Sequence, residues 1–115
     1  MSLLEELIRL LSDILPVETG IFSEEEIKSE YAVLTPLTET YTRYSDNEPR
    51  SETQEVRICI FTKGNYTKVK SDIIKTLRKT EILITDRRYL GYEIETGHHQ
   101  FVIDVAKHYE LEEEE

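Results

Sequence analysis

The apolar positions fall into periodic runs, and the period changes along the chain. Leu4, Leu7, Ile8, Leu11, Ile14 and Leu15 recur at three- and four-residue spacing, which predicts a helix over 2–15. Ser2 can cap it, Glu5 completes a capping box, and Pro16 stops it. Leu3 and Leu10 widen the stripe, so this helix is expected to meet neighbours on two sides. Residues 17–29 are less regular. Gly20 and the acidic run Glu24-Glu25-Glu26 fit a short strand or loop, then a helical turn begun at Ser23. Residues 30–45 are rich in Thr and Tyr and read as extended, with Pro36 marking an edge, a bulge or a break.

Residues 45–53 contain no large apolar side chain and are expected to form a polar loop. Val56, Ile58 and Ile60 then alternate with Arg57, Cys59 and Phe61, giving a central strand over 54–62 with apolar bulk on both faces. Asn65 is a good cap for a second helix over 66–79, where Val69, Ile73 and Leu77 sit at four-residue spacing. Strands follow over 81–92 and 99–109, joined at a Thr96-Gly97 turn and therefore antiparallel. Phe101, Ile103 and Val105 share one face of the last strand; Val102, Asp104 and Ala106 share the other. The expected fold class is α+β: a two-layer domain over 1–110, with a mostly antiparallel sheet of four to five strands and two helices packed on one face, in the order α-β-β-β-α-β-β. Residues 111–115 are an acidic tail expected to fray.

Composition narrows the classes. At 115 residues the chain has room for one domain and one modest core. It is 38% apolar and 33% charged, with a net charge of −10, so free nucleic acid is a poor first partner. No apolar run approaches the ~20 residues of a membrane span. The first residues lack a positive segment and are not expected to be a secretory signal. Cys59 is alone, which fits a reducing compartment. The charge is uneven: residues 1–62 carry −8, residues 63–91 carry +5 and residues 92–115 carry −7. Complementary fields of this kind can orient association between copies; solvated faces of no further consequence give the same pattern.

Candidate chemistry is sparse. His98 and His99, with Glu95, Asp104 and His108 nearby, invite a metal reading, but neighbouring residues of a strand face opposite ways and no ligand spacing is present. Cys59 inside an apolar strand reads as a small buried hydrophobe. There is no glycine-rich phosphate loop and no recognisable acid–base pair, so neither an enzyme nor a cofactor is expected. The bases from Lys68 to Lys79, with Arg87, Arg88 and Tyr89, are the best nucleic-acid candidate, set against a solvated helix face. Tyr41 and Tyr44, beside Arg43, have the chemistry of an interface or of a half-exposed sheet.

Several stretches together resemble a known family. Phe61-Thr62-Lys63-Gly64-Asn65-Tyr66 leads into a Lys-rich helix. Ile84-Thr85-Asp86-Arg87-Arg88-Tyr89-Leu90-Gly91-Tyr92-Glu93 and Thr96-Gly97-His98-His99-Gln100-Phe101-Val102-Ile103-Asp104-Val105 follow it. With the opening helix ending in Leu-Pro and the Tyr31-Ala32-Val33 segment, they resemble a small protein encoded among the tail genes of Firmicute phages and prophages, over roughly residues 1 to 110. The resemblance implies a tail completion, or tail-to-head joining, protein akin to lambda-like tail terminators. Those relatives are small α+β domains that form hexameric rings on the tail tube and meet the head connector. It therefore implies a structural virion component assembled in the bacterial host cytoplasm, without chemistry. Its expected partners are copies of itself, the tail tube protein and the head connector or stopper, with no membrane and no free nucleic acid. Interface residues expected from the residue chemistry are Tyr41, Arg43, Tyr44, Arg50, Lys68, Lys75, Arg78, Arg87 and Arg88. A small cytoplasmic regulator or nucleic-acid-binding module using helix 66–79 is the alternative.

Overall fold

A computed structural model describes residues 2–19, 29–45 and 48–111, with no account of the side chains of 42–45. The elements are α1 (Leu3–Leu11), β1 (Val17–Thr19), β2 (Glu30–Ser45), β3 (Glu48–Thr62), α2 (Tyr66–Arg78), β4 (Leu83–Glu93) and β5 (His98–Glu110). The α+β class and the element order agree with the expectation. The helical turn expected at Ser23 and the end of the acidic tail lie outside the described residues.

Local chemistry explains where the helices begin and end. The Ser2 hydroxyl accepts from the Glu5 amide at 3.1 Å, satisfying one of the free donors of α1. The helix stops at Leu11, four residues before the end of the apolar stripe. Ser12 donates its hydroxyl back to the Ile8 carbonyl, the Ile14 amide bonds the Leu11 carbonyl at 2.9 Å, and Pro16 bars Leu15 from helical backbone. Leu15 nevertheless stays in the core. At α2 the Asn65 side chain accepts from the amides of Thr67 and Lys68 at 3.1 and 3.3 Å.

The five strands lie in the order β1-β2-β3-β5-β4. β1 runs parallel to β2, and every other pairing is antiparallel. β3 is the central strand, paired to β2 on one side and β5 on the other. Because β5 lies between β3 and β4, the β3–α2–β4 connection crosses over it. Register shifts at Leu37, just after Pro36, show a bulge where the missing proline amide interrupts the ladder. The turn after β4 uses Gly97 at φ 78°, a backbone region that side chains disfavour.

One expectation is corrected. Residues 48–53, read as part of a polar loop, are the first part of β3. Ladder pairing holds them extended: Glu52 faces Tyr41 of β2 and Tyr109 of β5, and Thr53 faces Thr40 and His108. Backbone pairing, with β2 alone at Glu48 and Pro49 and with both β2 and β5 from Ser51, replaces the apolar alternation that normally marks a strand.

The core joins both helices to one face of the sheet. Leu3, Leu7 and Leu11 of α1 and Val69, Ile73 and Leu77 of α2 enter a single buried cluster with Ala32, Leu34, Val56, Ile58, Ile60, Phe101, Ile103 and Val105. The register places Leu34, Ile58 and Ile103 in one cross-strand row, and Ala32, Ile60 and Phe101 in the next. The opposite face is mixed. There Arg57 and Asp104, directly paired across β3 and β5, form a bidentate ion pair at 2.9 and 3.1 Å.

Candidate interaction surface

Among the described residues β4 is an edge strand of the sheet, and α2 runs beside it. Two grooves line this seam and share Arg87. The first, about 430 Å³, lies between the C-terminal end of α2 and the start of β4, with Ile74, Arg78, Thr80, Ile82, Leu83, Ile84 and Arg87 around it. The second, about 260 Å³, lies between Tyr66 and Lys70 of α2 and Tyr89 of β4. It wraps the strand edge to reach Arg88 and Val102 on the opposite face. The α2 spacing explains the division of labour along the helix. Val69, Ile73 and Leu77 are buried, and Lys70 and Ile74, one position on, reach the groove.

At the N-terminal end of α2 the seam closes in a group of rings. Tyr66 lies 4.9 Å from His99 and 5.4 Å from Tyr89, centroid to centroid, and Tyr92 lies 5.0 Å from His99. The Tyr89 hydroxyl and His99 Nδ1 are hydrogen-bonded at 3.0 Å. Tyr89 and Tyr92 remain half exposed, as do Leu83 and Leu90, and Ile94 is almost fully so. Such an exposed apolar run along one sheet edge is the usual mark of a contact surface.

The expected interface residues separate into three places. Arg78 and Arg87 meet in the first groove, and Arg87 and Arg88 in the second. Lys68 and Lys75 are exposed on α2 but line neither groove. Tyr41 and Arg50 lie far along the β2–β3 hairpin, where Tyr41 is exposed and the Arg50 carbonyl accepts from the Leu111 amide at 2.9 Å. Arg43 and Tyr44 have backbone in β2, and their side chains lie outside the described residues. Lys70, Ile74 and Tyr66 were missed as surface residues. The signal that could have found them is their place on α2, one residue after the buried row.

The remaining polar groups have structural partners. His98 is buried against Tyr31 and Phe61, edge-on at 5.5 and 6.3 Å, while His99 faces the tyrosines, so the two histidines do point apart. Among the described residues no cluster of three metal-ligating side chains occurs. Burial pushes the Cys59 thiol up, which suppresses its thiolate. Arg88 pairs with Asp86 at 2.9 Å, both half exposed, a contact of little energetic weight. Lys70, Arg78 and Arg87 have no carboxylate within ion-pair distance among the described residues.

No family model matches the chain, and no curated protein matches it. No described helix is long and apolar enough to cross a membrane.

Proposed function

We propose that this chain is a structural virion protein that completes a phage tail and joins it to the head, acting as a ring at the tail–head interface and catalysing nothing. The starting point is the resemblance of its β4, β5 and α2 sequences to phage tail-joining proteins. The structural observation that carries the reading is the β2–β3 hairpin. Its strands run on past the core, and residues 35–41 are exposed along their whole length. The molecule is accordingly long, 54 × 28 × 23 Å. A small domain with an arm reaching beyond its own core is suited to contacts with neighbours in an assembly. A ring also needs unlike patches that meet from copy to copy. The basic α2–β4 seam and the acidic ends of the chain supply that asymmetry. The partners in this reading are copies of the chain, the tail tube protein and the head connector.

The test is electron microscopy of lysates from a prophage with this gene deleted. Finished tails and filled heads are expected to accumulate unjoined, and expression of the chain in trans to restore whole particles. Tails that join heads equally well without the protein would sink the proposal.

A further inference from the structure

The outer side of β4 carries no strand among the described residues, so its outward amides and carbonyls are available for pairing. Beside that edge, Lys70, Ile74 and Arg78 form one row on α2 at four-residue spacing. Four helical residues rise about 6 Å. Two residues of an extended chain, the step between side chains on one face, advance about 6.7 Å. A strand laid along β4 therefore keeps step with this row over its three members. It would place one side chain opposite Lys70, the next same-face one opposite Ile74 and the next opposite Arg78.

We propose that the α2–β4 seam is a docking site for an extended segment of a partner protein with the pattern acid–x–apolar–x–acid, added to the sheet as a sixth strand. The two carboxylates meet Lys70 and Arg78, the apolar side chain lies over Ile74 and Ile84, and Arg87 lies between the two grooves. Charge complementarity selects the occupant. Among the described residues these three cations have no carboxylate within ion-pair distance, in a chain of net charge −10, and a basic or neutral strand would leave them without one. The same cations deter pairing between two β4 edges, since like charges would face each other. Register shifts at Thr85 and Leu90 divide the β4–β5 ladder into the short stretches Leu83–Ile84, Asp86–Tyr89 and Gly91–Glu93, so an added strand along Leu83–Tyr89 is a short segment that crosses one bulge. This site does not depend on the tail-joining reading.

A fluorescein-labelled peptide that alternates threonine with glutamate, valine and glutamate in that pattern is the probe, followed by fluorescence anisotropy on the full chain. Saturable binding is expected, weakened by added salt and about tenfold by Arg78→Glu or Lys70→Glu. It should also be lost when the peptide amides facing β4 are N-methylated. Both substitutions are on the surface, and thermal unfolding of each variant checks that the fold is intact; Lys63→Glu, at an exposed position outside both grooves, is expected to leave binding unchanged. No binding at millimolar peptide, or equal binding by the folded Arg78→Glu variant, overturns the proposal. Tighter binding of an oligothymidylate than of the peptide overturns it in favour of a nucleic-acid groove. Self-association that excludes the peptide and is lost in Arg78→Glu overturns the choice of a separate partner.

Discussion

Glu6 is the one acid buried on the leucine face of α1, and its environment explains how it stays charged. Burial alone would push its pKa up. The hydrogen bonds from Lys107, at 2.7 Å, and from the Tyr109 hydroxyl, with the charge of Lys107, outweigh that and hold it below its ordinary value of 4.5. The Tyr109 phenol is pushed up in turn, by burial first and then by its bond to Glu6. A carboxyl with a lowered folded pKa contributes stability above its unfolded pKa and loses it as pH falls. The chain is therefore expected to lose stability below about pH 4.5, and Glu6→Gln to show a flatter acid limb in denaturant titrations. At neutral pH the same substitution leaves Lys107 without its partner. It is expected to cost about 2 kcal/mol, under the ~3–5 kcal/mol of a fully buried pair because Lys107 can still reach water. In the sequence Glu6 reads only as an acid at a helix start. Its partners are 101 and 103 residues away, and no local pattern reports contacts at that range.

Among the elements, legibility follows the source of each one's stability. α1, α2 and β5 bury an apolar face, and their periodicity shows in the residues. The Asn65 cap was legible for the same local reason. Asn65→Ala is expected to lower stability by about 1 kcal/mol in chemical denaturation, without changing the fold. The start of β3 was not legible, because it is held by ladder pairing, with β2 from Glu48 and with β5 as well from Ser51, and not by an apolar stripe. Nor was the position of β5 between β3 and β4, which is settled by pairing between residues such as Ser51 and Glu110. Ile58 sits at the crossing of these ladders with no exposed surface. Ile58→Ala is expected to cost about 3–4 kcal/mol, visible as a lower midpoint in urea with an unchanged slope. For the candidate surface, the basic character of residues 68–88 was plain from composition. Which cations share a groove depends on the helix face and on the crossover, so Arg78 and Arg87 come together while Lys68 and Lys75 do not.

For the whole molecule, the net charge of −10 is the sum of unlike surfaces. Association through them is expected to weaken as salt rises, measurable by sedimentation at increasing ionic strength. Shortening the hairpin tests the arm separately from the core. Replacing residues 42–51 by a tight turn that joins the paired Tyr41 and Glu52 removes none of the buried cluster. The variant is expected to unfold in one cooperative transition yet fail to restore head joining in the deletion strain.

The way the arm is built has a mechanical consequence. It is two strands wide only at its tip; from Ser51 inward β5 runs alongside β3 as a third. Just inward of that point, the buried Gln54 side chain accepts from the first amide of α1 at 2.8 Å, and Lys107 and Tyr109 hold Glu6. The hairpin is thus a cantilever clamped at its root and stiffened in the plane of the sheet where it is three strands wide. A load applied at the tip is passed to α1 as a push on its N-terminal turn, so that neighbours gripping the arm would hold the helix as well.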